Sequence, residues 1–107
     1  MPAPTTDDIG VALTRLAFTD EEAARRKRAV EAHDYIAKKK RYAAFLSCSG
    51  NVEERKATAE NDPDYWEERE KYFDAIEESE ALQNERKTLT LKIDVWRSLN
   101  ANRRQGS

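Results

Sequence analysis

A chain of 107 residues with 37% charged and 38% hydrophobic side chains has room for one modest core, which can only be a stripe along each element. The single cysteine, Cys48, excludes an intramolecular disulfide and makes a reducing, cytoplasmic setting the expectation, the host cytoplasm if a phage encodes the chain. No apolar run approaches a membrane span, and "MPAPTTDDIG" has neither the basic nor the apolar region of a signal peptide.

With three Gly and three Pro, two of them at Pro2 and Pro4, internal punctuation is almost absent, which favours long helices. Residues 1–6 read as a disordered tail. Residues 7–18 form a short amphipathic arm in which Ile9, Leu13 and Leu16 share a face. Thr19, three residues before Glu22, has the capping-box spacing, so a first long helix is expected over 20–47. Ala23, Val30, Ala37 and Ala44 recur at sevens along it, a pattern for close approach by a neighbouring helix. Gly50 and Asn51 are the residues expected to stop it in the left-handed conformation.

A short helix is expected over 52–61. Asp62 can then cap a second long helix, with Pro63 tolerated at its first position and Asp64 suited to its first turn. Nothing breaks that helix over 63–101, and residues 102–107 read as a tail. Within it "TLTLKIDVW", Thr88 to Trp96, alternates polar and apolar residues as a half-buried strand would. No second alternating run exists to pair with it, so helix is the better reading. The helix then carries apolar residues on two faces: Leu89, Ile93 and Trp96 on one, Leu91, Val95 and Leu99 on the other. The fold expected is all-α, an antiparallel, coiled-coil-like hairpin of two long helices with an N-terminal arm, in a single domain. Helices of about 42 Å and 57 Å leave the last turns of the second overhanging. There the arm would cover one apolar face and a second copy of the chain the other.

Charge is segregated behind a net value of −2. Residues 24–51 carry eight Lys or Arg against two acids, residues 52–86 five against thirteen, and residues 87–107 five against one. In a hairpin the first block lies beside the second and compensates it. The remaining cations, Arg25, Arg26, Lys27 and Arg28 with Arg97, Arg103 and Arg104, would gather at one pole beside Trp96. That pole is the candidate nucleic-acid contact.

Catalytic chemistry finds little support. His33 stands alone among charged neighbours, and a solvated helical histidine is the simpler reading. Cys48, at a helix end, reads as a small, partly buried thiol. No second Cys or His completes a zinc site, and no glycine-rich phosphate loop is present. Glu67, Glu68, Glu77, Glu78 and Glu80 read as a solvated acidic face, and "DPDYWEE" lacks the central Gly of a calcium loop. Tyr65, Trp66, Tyr72 and Phe73 are the densest aromatic cluster, expected to pack near the bend or, failing that, to form a protein-binding patch. No catalytic residue, cofactor, metal or small-molecule ligand is therefore expected, and no membrane contact.

From Asn51 to Arg104 the chain resembles a loose group of small, largely uncharacterised helical proteins of tailed phages and prophages. The likeness rests on Val52-x-x-Arg55, the Pro63-x-Tyr65 corner and "VWRSLNANRR" from Val95 to Arg104. It implies a small adaptor for DNA-processing machinery or a modulator of a host protein, with Val95, Trp96, Arg97 and Arg104 as the positions carried over. The reading is of a non-enzymatic interaction protein that self-associates and binds a host or phage protein through Leu91, Val95, Trp96 and Leu99. The alternative is a nucleic-acid-contacting accessory protein of recombination or replication that uses the basic pole.

Overall fold

The computed structural model describes residues 2–106 and contains three helices: α1 (Thr6–Ser47), α2 (Val52–Glu60) and α3 (Pro63–Gly106). No strand occurs among the described residues, and Thr88–Trp96 is helical throughout. The chain divides into two compact units. Unit 1 joins the segment up to Ala24 with that from Glu80 onward, and unit 2 is Arg25–Ser79.

In each unit a segment of α1 pairs with a segment of α3, and the pairing is antiparallel. Ile9 meets Ile93 and Arg15 meets Glu85 in unit 1, while Arg26 meets Glu78 and His33 meets Glu68 in unit 2. Partner numbers fall along α3 as they rise along α1, which is the expected helical hairpin.

Three boundaries differ from expectation. First, no arm precedes the first long helix, because α1 is continuous across Thr19. Thr19 is buried, and its hydroxyl donates to the Arg15 carbonyl one turn back (2.8 Å) instead of capping. The reason is the seam: Ile9, Ala12, Leu16, Thr19, Ala23, Arg26, Val30, His33, Ala37, Lys40 and Ala44 alternate spacings of three and four, and all are buried or half-buried. That repeat keeps one face against a partner helix without interruption, and a local capping signature cannot compete with it. The true cap lies upstream. Asp8 N–H donates to Thr5 Oγ1 (3.2 Å) and Thr5 N–H to Asp8 Oδ2 (2.9 Å), a reciprocal capping box.

Second, the expected C-terminal tail is helical to Gly106, Ser107 lying outside the described residues. Of the expected N-terminal tail, Thr6 is already helical, Pro2–Thr5 have no regular structure, and Met1 lies outside the described residues. With 42 and 44 residues, α1 and α3 have nearly matched lengths of about 63 Å and 66 Å. The last turns of α3 still run past α1, because Ile9 packs with Ile93 and Trp96 only three residues after α1 begins, while α3 continues ten residues beyond Trp96.

Third, Gly50 and Asn51 divide the work at the first turn. Gly50 takes φ +117°, a backbone conformation that L side chains rarely adopt, so glycine is favoured there. Asn51 is not left-handed: it caps α2, accepting from the Glu54 N–H (2.9 Å). Asp62 caps α3 as expected, accepting from the Tyr65 N–H (3.0 Å).

Candidate interaction surfaces

The two units close their seams by different chemistry, and the surfaces left open follow from that. In unit 1 the buried cluster is Ile9, Ala12 and Ile93, with Leu16, Leu89 and Trp96 packed against it. A polar layer follows: Arg86 donates to the Leu16 carbonyl (2.9 Å) and Thr19 hydroxyl (2.8 Å), and its other terminal nitrogen reaches Asp20 (3.1 Å). One apolar face of the 88–99 segment is thus covered by the start of α1. The other is open. Leu91 is 63% exposed, Val95 41% and Leu99 38%, spaced by fours down a single stripe. Leu91 also borders a shallow groove lined by Leu16, Arg86 and Thr90.

Trp96, grouped with that stripe from sequence, belongs to the covered face, where it packs on the Ile9–Ala12–Ile93 cluster and is only half-exposed. Its offset from the others explains the correction: Leu89, Ile93 and Trp96 follow the inward four-three spacing, whereas Leu91, Val95 and Leu99 do not. On α1, Val11 and Phe18 are exposed and line an apolar groove with Gly10 and Thr14. They share a face at a spacing of seven, a signal available in the sequence but masked by the more obvious Ile9–Leu13–Leu16 stripe. Leu13 is itself exposed.

In unit 2 the seam is mixed, with Ala37, Tyr65 and Ala75 buried along it beside Ser79 and Glu68. Glu68 is buried at its centre and gathers His33 (Nδ1 at 3.4 Å), Lys40 (3.6 Å) and Lys71 (3.2 Å). Burial alone would raise the Glu68 pKa. Hydrogen bonds from Lys71 and His33, with the charges of Lys71 and Lys40, outweigh it and hold the carboxyl below its usual range. His33 is therefore not the solvated histidine expected, since it occupies a seam position facing this carboxylate.

The cations of the expected basic pole are divided between the two units, and the first group does not start a helix. Arg25, Arg26, Lys27 and Arg28 lie in mid-α1 within unit 2, some five turns from the helix start, and Arg26 donates to the Glu78 carbonyl (3.1 Å). Arg97, Arg103 and Arg104 lie at the far end of α3 in unit 1. The expectation took Arg25 to stand at the beginning of a helix.

A different basic surface forms in unit 2. Lys38, Arg41, Tyr42, Phe45, Lys56, Ala59 and Glu60 line a groove between α1 and α2. Arg55 holds α2 there, its guanidinium 4.4 Å from the Phe45 ring centre and donating to the Phe45 carbonyl (3.1 Å). The Cys48 thiol is half-buried at the same turn and donates to the Phe45 carbonyl (3.4 Å). Of the aromatic cluster, Tyr65 is buried and Tyr72 half-buried, whereas Trp66 and Phe73 are 45% and 47% exposed.

Among the described residues no three His, Cys, Asp or Glu side chains converge as metal ligands would, and no helix is long and apolar enough to cross a membrane. No protein-family model, curated protein or solved structure matches the chain.

Proposed function

We propose that the protein is a non-enzymatic helical interaction protein that self-associates and binds a protein partner through the outer face of α3 at Leu91, Val95 and Leu99. The observation that carries this reading is the pair of apolar faces on one helical segment. One is closed by Ile9, Ala12 and Leu16, and the other stands open to water at Leu91, Val95 and Leu99. Two helices packed side by side bury one stripe each, so a third apolar stripe has no use within unit 1 and is the part of the surface that gains most from a partner.

The resemblance of "VWRSLNANRR" to phage and prophage proteins supplies the setting, an accessory adaptor in the host cytoplasm. Val95 and Arg97 then act at the interface, and Trp96 acts beneath it by fixing the helix that presents them.

The test is light scattering after gel filtration across a concentration series. The wild-type chain is expected to move from monomer to dimer or higher oligomer as concentration rises, with little response to salt because the contact is apolar. Leu91→Asp combined with Val95→Asp should hold it monomeric with unchanged helix content. A wild-type chain that stays monomeric throughout the series would sink the self-association.

A further inference from the structure

We propose that the groove between α1 and α2 in unit 2, with the tyrosine stripe that continues from it along α1, binds single-stranded nucleic acid. This goes beyond the apolar surface of unit 1 and shares no residue with it.

Tyr42 offers a ring face in the groove, which Phe45 closes beneath Arg55, and Lys38, Arg41 and Lys56 line it with Glu60, Lys38 also pairing with Asp34 (2.8 Å). One turn pair back along α1, Tyr35 lies on the same side as Tyr42, seven residues or about 10.5 Å away. Both rings are 63% exposed, a large area for tyrosine to leave in water. Lys39 sits over the Tyr35 ring, its ammonium 5.4 Å from the ring centre, and exposed Arg28 lies seven residues before Tyr35.

Rings open for stacking, each beside a cation, are the two components that hold a flexible polyanion with planar bases. The rings take the bases without regard to sequence and the cations take the phosphates. The opposite side of unit 2 works the other way. Glu67, Glu70, Asp74 and Glu77 are exposed on the α3 segment and repel a phosphate chain, confining it to α1 and α2. A duplex fits poorly, because its bases are stacked on each other and cannot reach Tyr35 or Tyr42.

The same acidic face, with Trp66 and Phe73 also seven residues apart, makes a second copy of the chain the rival occupant. The experiment separates the two. Anisotropy of a fluorescein-labelled twenty-residue oligothymidylate is followed with the full chain at several salt concentrations. Saturable binding is expected, weakening steeply with salt.

Lys38→Gln with Lys56→Gln should weaken binding and flatten the slope of log affinity against log salt by about 1.4, at roughly 0.7 for each phosphate no longer neutralised. Tyr42→Ala should weaken it about tenfold while Tyr42→Phe keeps it, as stacking requires a ring and not a hydroxyl. All three positions are exposed, and far-ultraviolet circular dichroism checks that helix content is kept. Leu91→Asp with Val95→Asp should leave oligonucleotide binding intact, so failure of this surface and failure of the apolar one are read independently.

The proposal is overturned if the wild-type chain does not bind at low salt, or if Tyr42→Ala binds as well as wild type. It is equally overturned if inorganic polyphosphate or a duplex of the same length competes as effectively per charge. Salt-sensitive self-association that is lost in the Lys38–Lys56 variant and indifferent to the oligonucleotide would assign the groove to a second copy instead.

Discussion

Unit 1 and unit 2 use the same pair of helices and the same three-four repeat, yet they fill it differently, with a mainly apolar seam in unit 1 and a mixed one in unit 2. At the inward positions of unit 1 stand Ile9, Ala12, Leu16, Leu82, Leu89, Ile93 and Trp96, with Thr19 and Arg86 as one polar layer. Unit 2 places there Ala37, Ala75 and Ser79, with Tyr65 buried and Val30 and Tyr72 half-buried, together with Arg26, His33, Lys40 and Glu68. An apolar seam contributes more stability per position but tolerates sliding. A mixed seam contributes less and fixes which residue faces which, because a shifted register would leave Glu68 buried without its cations. The comparison assigns stability to unit 1 and alignment to unit 2.

The sharpest way to break that division is Ile93→Ala. It removes three carbons from the Ile9–Ala12 contact, and in so thin a core an expected loss of about 2–4 kcal/mol is a large part of the total. Urea unfolding followed by circular dichroism measures it. Amide hydrogen exchange locates it: protection should fall in 82–100 and persist in 65–79. An even loss over both stretches would mean that the two seams are not energetically distinct.

Acid probes the other side of the comparison. Glu68 has a folded pKa below its ordinary value, so the unfolded chain binds its proton first as pH falls. Its contribution is complete above about pH 4.5 and is lost as pH drops through the lower, folded value. Asp8, exposed at the start of α1, shifts the same way through its backbone and side-chain bonds to Thr5, so what it adds to the first turn is lost only as pH falls below about 3.8. Glu68→Gln is expected to cost about 1.5–3 kcal/mol at pH 7, the usual scale for charged hydrogen bonds, and progressively less as pH falls below about 4.5. Stability curves of wild type and variant that run parallel from pH 7 to pH 3 would remove the carboxylate from the account of register.

Much of this architecture is legible in the chain. The alanines at sevens from Ala23 to Ala44 announce a neighbouring helix, and Asp62 and Pro63 announce the start of α3. The two apolar faces of 88–99 are also plain, although which of them Trp96 joins is not. What escapes is decided by competition between levels. Thr19 and Glu22 carry a genuine capping signature, and only the longer-range demand of the seam keeps the helix running through them. That one misplaced boundary also misplaces Arg25, Arg26, Lys27 and Arg28, which the expected basic pole takes to stand at a helix start. His33 and Lys40 look solvated because their neighbours in sequence are charged, and their shared partner, Glu68, lies in the other long helix. Tyr35 and Tyr42 with the cations between them are readable as a basic-aromatic stripe. The groove they continue into is not, because it needs α2 folded back against Phe45.

The smallest expected effect tests whether unit 1 can be strengthened without touching its seam. Gly10 lies in the second turn of α1 on its exposed side, and a Cβ built there meets nothing within 4 Å. Glycine costs a helix interior up to about 1 kcal/mol relative to alanine, through the backbone freedom it gives the unfolded chain. Gly10→Ala should therefore raise stability by up to about 1 kcal/mol, with extra hydrogen-exchange protection confined to the first turns of α1 and their partners on α3. The groove bounded by Val11, Thr14 and Phe18 gives this substitution a second meaning. If a partner helix seats there, the added methyl lies in the contact, and association should change even though the isolated chain is more stable. A gain in stability with unaltered association would mark that groove as a bare helix surface, and would leave Leu91, Val95 and Leu99 as the apolar face that unit 1 offers to a partner.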